Sequence, residues 1–189
     1  MSKGRKIVVA ITGASGAIYA KRLLDYLEQM PEQYAEVNLV FSKNAKEVWN
    51  HELEEGTYSN YDFKEYQPDD FYAPFASGSA GFDAMIVCPS SMGTLGRIAN
   101  GISNDLITRA ADVILKEGKQ LILVPRETPF NLIHLRNMIQ LAEAGAIIIP
   151  AIPSFYSKPE SIEEVADTVV HRVLKRAGFE LDSFQWGIE

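Results

Sequence analysis

The clearest structural signal in the sequence is Ile7-Val8-Val9-Ala10-Ile11-Thr12-Gly13-Ala14-Ser15-Gly16-Ala17. Its first half is a short, β-branched apolar run, which is typical of a central strand buried on both faces. Its second half consists of small residues, which let the backbone approach an anion at the start of a helix. The spacing differs from the Gly-x-Gly-x-x-Gly pattern of dinucleotide-binding turns. The stretch therefore predicts a strand, a tight turn and a helix, and leaves the ligand open.

Four more runs of strand length follow this first one, and segments of helical period separate them. The predicted strands are residues 7–12, 37–41, 84–88, 121–124 and 146–149. The predicted helices are residues 17–30, 104–117, 131–143 and 162–176, the last with Ser161 and Glu164 as a capping box. This alternation predicts an α/β fold, a single domain over residues 1–189. Its core is a doubly wound parallel sheet in three layers, of Rossmann-like or flavodoxin-like type.

Composition excludes several classes of protein. The chain has 25 acidic and 18 basic residues and a net charge of −7, which disfavours non-specific binding to nucleic acid. Cys88 is the only cysteine and lies in an apolar run, so we expect a buried thiol and no intrachain disulfide. The apolar stretch near the N-terminus is too short to span a membrane. We expect a cytoplasmic protein.

Small hydroxylated residues follow two other predicted strands. Ser42 ends the second run, and Pro89-Ser90-Ser91-Met92-Gly93-Thr94 follows the third. Each serine is read either as a helix N-cap or as a ligand contact. Because the carboxyl ends of parallel strands meet at one edge of the sheet, these loops together predict a crevice for a flat, phosphorylated ligand.

Two stretches do not fit the alternation of strands and helices. Residues 56–82 form a long irregular segment, and long loops in compact domains are often functional or used in packing. The tail 178–189 carries Phe179, Phe184 and Trp186 on an otherwise complete domain. We expect this tail to pack on a neighbouring subunit.

Six sequence blocks, taken together and in order, resemble the flavin prenyltransferase family of the UbiX and Pad1 type. The blocks span residues 13–17, 76–79, 109–113, 115–117, 124–129 and 155–156. The resemblance extends from about residue 6 to 176. Its most specific parts are Arg109-Ala110-Ala111-Asp112 and Arg126-Glu127-Thr128-Pro129, whereas any single block alone would be weak evidence.

The resemblance implies an activity, a cofactor and partners. Members of this family transfer a dimethylallyl group from dimethylallyl phosphate to N5 and C6 of reduced FMN. The product, prenylated FMN, serves a UbiD-type decarboxylase. Members form homo-oligomers, typically dodecamers, with active sites at subunit interfaces, and they use no metal. The chain is thus expected to be a metal-independent prenyltransferase.

The family match also implies roles for individual residues. The expected catalytic residues are Ser15, Glu52, Glu127 and Lys116. FMN is expected to contact Gly13, Ala14, Ser15, Ser42, Ser91, Met92, Gly93, Thr94 and Arg126. The prenyl phosphate is expected to contact Lys116, Arg126, Glu127, Tyr156, Arg172 and Trp186. Without a metal ion, cationic side chains must neutralise the departing phosphate, and Arg can hold two of its oxygens at once.

Non-functional interpretations exist for several of these residues. Arg109 and Lys116 are seven residues apart on one helix face, where Asp105 and Asp112 are spaced to form an exposed ladder of ion pairs. Glu52 is also consistent with a solvated helix end. Tyr156 and Arg172, taken alone, are consistent with packing and with a solvated face.

The chain departs from the family at one place, and two other functions compete with prenyl transfer. Many members have Cys-Pro-Cys-Ser where this chain has Cys88-Pro89-Ser90-Ser91, which removes any thiol chemistry at Ser90. One competing function is an FMN-dependent decarboxylase of cysteine derivatives, but no Pro-Ala-Ser-Ala-Asn-Thr-like loop is found. The other is a non-catalytic flavin-binding regulatory subunit, which would have no need for the cationic residues.

Overall fold

A six-stranded, all-parallel sheet forms the centre of the molecule. The computed structural model describes residues 4–184 and Gly187. The strands are β1 Arg5–Ile11, β2 Tyr34–Phe41, β3 Lys64–Tyr66, β4 Ala84–Ser90, β5 Gln120–Pro125 and β6 Ile147–Ile148. Their spatial order is β3-β2-β1-β4-β5-β6, and every pair is parallel. The predicted doubly wound α/β fold is confirmed.

Six helices lie along this sheet in the described part of the chain. They are α1 Ala17–Gln29, α2 Ala45–Glu52, α3 Met92–Ala99, α4 Leu106–Lys116, α5 Leu132–Glu143 and α6 Ile162–Arg176. The four predicted helices agree with α1, α4, α5 and α6 within about two residues at each end. The helices α2 and α3 were not predicted, because eight residues give too few turns to show a helical period. The predicted capping box of α6 is only half formed: Ser161 accepts from the N–H of Glu164, whose carboxylate accepts from Glu160.

The sheet separates two apolar cores, and β1 contributes to both. Ile7, Val9 and Ile11 pack with α1 and α6 on one face, whereas Val8 and Ala10 pack with α3 and α4 on the other. All five are at most 1 % exposed. Successive residues of a strand point to opposite faces. Burial on both faces therefore explains why this strand appears in the sequence as an uninterrupted apolar run.

The segment 56–82 is more ordered than the sequence indicated. It contains β3, which pairs with β2 from Asn38–Lys64 to Val40–Tyr66, and three short 3-10 turns. β3 lies at the edge of the sheet, where polar side chains face solvent on one side. Its sequence Lys-Glu-Tyr lacks the apolar character of the inner strands, and so the strand was missed.

The direction in which successive strands are added to the sheet reverses between β1 and β4. Strands β2 and β3 continue to one side of β1, whereas β4, β5 and β6 continue to the other. Loops that follow β1 and β4 diverge at such a switch point and leave a crevice at the carboxyl edge. No helix in the described residues combines the length and apolar character needed to cross a bilayer.

Candidate active site

A buried threonine joins the carboxyl ends of the two central strands. Thr12 is 2 % exposed and donates from Oγ1 to the carbonyl oxygen of Pro89 at 2.7 Å. Thr12 Oγ1 also accepts from the backbone N–H of Ser91 at 2.7 Å. Because a hydroxyl both donates and accepts, one side chain pairs two backbone groups. The turn after β1 and the loop after β4 are thereby fixed relative to each other.

Backbone hydrogen bonds extend this connection along the carboxyl edge of the sheet. In each of them a backbone N–H donates to a carbonyl oxygen. The pairs are Ser42 to Ile11 at 2.8 Å, Arg126 to Ser90 at 3.2 Å and Ala151 to Pro125 at 2.9 Å. The loops that the sequence analysis assigned to one crevice thus form one continuous edge.

A carboxylate from the same chain occupies the N-terminus of α1. Glu52 ends α2, and its Oε2 accepts from the N–H groups of Gly16 and Ala17, both at 2.7 Å. Burial alone would raise the pKa of Glu52. Hydrogen bonds from Ser15 and from the two N–H groups outweigh burial, and the charge of Arg126 acts in the same direction, so the pKa is lowered. The anion expected at this helix end is therefore internal, and a ligand phosphate here would meet a like charge.

Arg126 lies beside this carboxylate, across the turn. A Cβ atom on Gly16 would stand 3.0 Å from the Tyr19 ring and 3.6 Å from Cγ of Arg126. Gly16 also has φ 113°, a conformation that L side chains rarely adopt. Glycine at this position thus allows the turn and avoids crowding the Tyr19 ring, and Arg126 lies in van der Waals range of the same position. Ser15, Glu52 and Arg126 are brought together as the family match implies.

The start of α3 offers hydrogen-bond donors to the same crevice. Ser91 is the N-cap, and its Oγ accepts from the N–H of Thr94 at 3.3 Å and lies 3.1 Å from the Thr94 hydroxyl. A side chain on Gly93 would meet no atom within 4 Å, so open space adjoins this turn. The first turn carries no acidic residue, and its N–H groups attract an anion. We call residues 12–17, Glu52 and residues 91–94 the cradle.

Arg97 supports the cradle from behind and was not predicted. Its guanidinium donates to Thr94 Oγ1 at 3.3 Å, to Asn104 Oδ1 at 2.9 Å and to the carboxylate of Asp105. Asp105 is the N-cap of α4 and accepts from the N–H of Thr108 at 2.8 Å. The Ser91 turn is thus connected to the start of α4. An arginine near an acidic residue eight positions later gave no recognisable sequence signal.

Of the remaining predicted flavin contacts, Gly13 and Ala14 belong to the cradle, and Ser42 lies next to it. A Cβ on Gly13 would stand 3.0 Å from Cβ of Asn44, and Ala14 is 8 % exposed. Ser42 does not cap α2, because Asn44 is the residue before that helix. Ser42 instead lines a cavity of about 520 Å³ together with Lys43. The helix-cap alternative is therefore wrong for Ser42 and right for Ser91.

Arg126 and Glu127 follow β5 and line a cavity of about 310 Å³. Oε1 of Glu127 accepts from the N–H of Thr128 at 2.9 Å, which orients the carboxyl group. Pro150 and Ile152 also line this cavity. Arg126 therefore links the cradle on one side to this cavity on the other.

Tyr156 and Arg172 line the next cavity along the chain. Both border a space of about 670 Å³ beside α6. Arg172 also borders a space of about 570 Å³, which shares Pro150 and Ile152 with the cavity of Arg126. Arg126, Glu127, Tyr156 and Arg172 thus border adjoining cavities. We call these four residues the cationic face.

Lys116 lies at the opposite edge of the sheet. It is the last residue of α4 and precedes the start of β5, whereas Arg126 follows the end of β5. A six-residue strand is roughly 20 Å long, so Lys116 and Arg126 cannot share a phosphate within one chain. The fold therefore separates residues that the family match assigns to one ligand.

The predicted ladder of ion pairs on α4 is not formed as proposed. Asp105 binds Arg97 and caps the helix instead of pairing with Arg109. Arg109 donates to the carbonyl oxygen of Ala76 at 3.1 Å and to Asp112 at 3.3 Å. Arg109 thereby holds the 3-10 turn at Pro74–Ala76 against α4.

Two other sequence expectations concern the core and the tail. Cys88 is fully buried, as expected, and burial raises the pKa of its thiol. Trp186 lies outside the described residues. Phe184 in the same tail is 53 % exposed and lines the cavity of Tyr156 and Arg172.

The cradle suits a flavin mononucleotide. Its donors are hydroxyls and backbone N–H groups, Gly93 leaves room for close approach, and Arg126 supplies a positive charge at the rim. These are the groups that bind phosphate and the polar edge of a heteroaromatic ring. Within residues 4–184 and Gly187, no cluster of three or more His, Cys, Asp or Glu side chains could hold a metal ion.

Comparisons with known proteins agree with this geometry. A family model described as Flavoprotein matches residues 1–174. The flavin prenyltransferase UbiX of Methanocaldococcus jannaschii is 49 % identical over 191 residues, covering 96 % of this chain and 98 % of that protein. The flavin prenyltransferase UbiX of Pseudomonas aeruginosa is 43 % identical over 204 residues, covering 99 % and 96 %.

Solved structures give the same result. A dodecameric FMN-dependent UbiX-like decarboxylase from Escherichia coli O157:H7 superposes with a TM-score of 0.90 at 42 % identity, over 96 % of this chain and 98 % of that one. AnUbiX, solved with FMN and dimethylallyl pyrophosphate, gives 0.86 at 40 % identity, over 97 % and 100 %. The peptidyl-cysteine decarboxylase EpiD gives 0.61 at 20 % identity, which shows a shared fold alone.

Proposed function

We propose that this chain, which belongs to the Flavoprotein family and within it to the UbiX flavin prenyltransferases, acts as a prenyltransferase. It transfers a dimethylallyl group from dimethylallyl phosphate to N5 and C6 of reduced FMN. One observation carries the proposal: Arg126 lies between the Ser15–Glu52 pair and the cavity of Glu127. The positive charge of Arg126 therefore lies at the boundary between the cradle and the cavity in which a departing phosphate would be bound. FMN and a prenyl donor occur together in the related AnUbiX structure.

The cationic face is suited to stabilise the leaving group. Reduced flavin, when bound in the cradle, supplies the nucleophilic nitrogen and carbon. As the C–O bond of the donor breaks, its electron pair passes to the phosphate oxygen. Arg126 and Arg172 stabilise that charge through charge-assisted hydrogen bonds, and Glu127 donates a proton to the phosphate.

The Ser15–Glu52 pair is suited to remove the proton that ring alkylation displaces from C6. Ser15 is exposed to the crevice, and its hydroxyl bonds to the carboxylate of Glu52. The lowered pKa of Glu52 keeps this group ionised and therefore able to accept. A proton taken up at Ser15 Oγ can pass to Glu52 along this hydrogen bond.

Lys116 joins the site from a neighbouring copy of the chain. It cannot reach Arg126 within one subunit, and the related Escherichia coli protein is a dodecamer. The described surface is consistent with assembly, because α5 exposes a set of large apolar side chains: Leu132, Ile133, Leu135 and Ile139. Exposed apolar patches of this kind mark interaction surfaces. We include the tail 178–189 in the same interface.

The product and the location of the protein follow from the same proposal. We propose that prenylated FMN passes to a UbiD-type decarboxylase, so that the product activates such an enzyme prepared without its cofactor. A cytoplasmic location is consistent with a single, buried and reduced cysteine.

The experiment supplies the purified protein with reduced FMN and dimethylallyl phosphate and measures the mass of the flavin. We expect a flavin heavier by one five-carbon unit. Glu127→Gln should lower turnover by about 10²–10⁴-fold, because a general acid is lost, with an unchanged Kd for FMN. Glu143→Gln, an exposed substitution at the end of α5, is the matched control. Recovery of unmodified FMN alone from the unaltered protein would refute the proposal.

A further inference from the structure

A largely buried ion pair joins α1 to α6. Arg22 of α1 binds both carboxylate oxygens of Asp167 of α6, through Nε at 2.7 Å and Nη2 at 2.9 Å. The hydroxyl of Tyr26, one turn further along α1, donates to the same carboxylate at 2.9 Å. Asp167 is 9 % exposed. Two parallel bonds between a planar guanidinium and a carboxylate require one relative orientation, so this pair specifies how the two helices meet.

Apolar packing between these helices defines their register less sharply. Buried aliphatic side chains of both helices belong to one core, among them Leu23 and Leu27 of α1 and Val170 and Val173 of α6. Cores of this kind tolerate repacking and lose a unique arrangement before they lose stability. A buried ion pair adds little net stability, because desolvation offsets its attraction, but it is suited to select one register among several.

Both helices lead into the proposed active site. α1 begins in the cradle at Ala17, and α6 carries Arg172 about 7.5 Å along the helix from the ion pair. α6 also holds the loop of Tyr156, because Thr168 Oγ1 accepts from the N–H of Ser154 at 3.1 Å. A shift of α6 along α1 would thus move two residues of the cationic face relative to the cradle.

The ion pair also controls a negative charge in the donor cavity. Asp167 and Arg172 line the same space of about 670 Å³. An unpaired carboxylate there would repel a phosphate. Arg22 and Tyr26 occupy both oxygens of Asp167, which compensates this charge. Removing Arg22 alone would therefore add repulsion to any change of register, and a clean test must neutralise both partners.

We propose that Arg22 and Asp167 are positioning residues for prenyl transfer, whose ion pair fixes α6 in one register on α1 and so sets the distance between the flavin and the donor phosphate. The inference rests on the proposed function. The pair acts through Arg172 and the loop of Tyr156. A displacement of about 1 Å can lower a rate about 10²-fold, so a small change of register has a large effect on turnover.

The kinetic test replaces the pair by neutral side chains, in Arg22→Met combined with Asp167→Asn. No uncompensated charge remains and the amide oxygen can still accept from Tyr26, so we expect the melting temperature and the Kd for FMN to be retained. We expect kcat to fall about 10–10²-fold with little change in KM for dimethylallyl phosphate. The control, Lys21→Met with Asp25→Asn, removes an ion pair of 2.7 Å within α1 and should retain kcat. Full kcat in the folded Arg22 and Asp167 variant would overturn the inference.

A milder variant keeps the test decisive if that double variant does not fold. Arg22→Lys retains the positive charge but cannot form two parallel bonds with the carboxylate. We expect a loss of kcat smaller than in the double variant, with an unchanged Kd for FMN. A purely structural role that needs only the charge predicts full kcat, and that result contradicts the inference.

Crystal structures separate this inference from the proposed activity. After superposition on the central sheet, the double variant of Arg22 and Asp167 should show Arg172 displaced relative to the cradle by about 1 Å, whereas the control of Lys21 and Asp25 should show no displacement. If the unaltered protein transfers no prenyl group, prenyl transfer fails as the function, and the displacement still decides the role of the ion pair. An unmoved α6 in the double variant overturns that role.

Discussion

The cradle and the cationic face differ in how completely one chain builds them. In the cradle, Thr12, Glu52 and Ser91 are fixed by hydrogen bonds within the chain, between elements that pack on the central strands. The cationic face is open, and Tyr156 is 65 % exposed. Lys116, assigned to the same phosphate, is at the far edge of the sheet. The hydrogen bonds that shape the cradle thus come from one chain, whereas the proposed donor site needs Lys116 from a neighbouring copy.

Complementation between two inactive variants tests this difference most strongly. Lys116→Ala and Arg126→Ala should each lower turnover by about 10²–10³-fold, because a group that stabilises the leaving phosphate is lost. If neighbouring chains share each site, mixed oligomers contain about a quarter of their sites with both residues intact. Activity should then return after the two variants are dissociated, mixed and reassembled.

The control mixes Lys116→Ala with a variant that combines Lys116→Ala and Arg126→Ala. Every site then lacks Lys116, so no activity should return. If the first mixture also remains inactive although mixed oligomers form, Lys116 does not complete a neighbour's site, and the contrast between the two regions is lost.

Thr12→Val tests the cradle with a smaller expected effect. Valine has nearly the same shape as threonine but leaves the Ser91 N–H unpaired and the buried Pro89 carbonyl with only the backbone N–H of residue 12, at 3.3 Å. The free energy of unfolding should fall by about 1–3 kcal/mol, and FMN affinity should fall because the Ser91 turn is released. Urea titration and flavin fluorescence measure the two effects. Thr12→Ser keeps the hydroxyl and should retain FMN affinity; equal losses in both variants would contradict this role.

The smallest expected effect concerns the pH dependence contributed by Glu52. Because folding lowers its pKa, Glu52 adds stability that is fully present above the ordinary value of about 4.3 and lost as the pH falls through the folded value. The difference in unfolding free energy between the unaltered protein and Glu52→Gln should therefore be constant above about pH 5 and shrink below about pH 4. Glu47→Gln, in the first turn of the same helix, is the control. A pH-independent difference between pH 3 and 7 would exclude this linkage.

Prediction from sequence worked where a physical signal was local. The inner strands were found because burial on both faces imposes a continuous apolar run, and α4 and α5 end near Gly118 and Gly145, which have positive φ. β3 was missed because an edge strand needs no such run. Glu52 pairs with the start of α1, and the sequence separation is 36 positions for Gly16 and 35 for Ala17. No local pattern encodes a contact over such a distance.

Residue type and short-range spacing are enough to predict the parallel α/β fold, the loops that form the crevice and the family motifs. Two contacts became visible in three dimensions alone: Glu52 fills the helix end expected to bind an anion, and β5 holds Lys116 and Arg126 apart. Charges act through space. Their effect depends on which strand ends meet and how far a strand extends, and neither is written in the order of the residues alone.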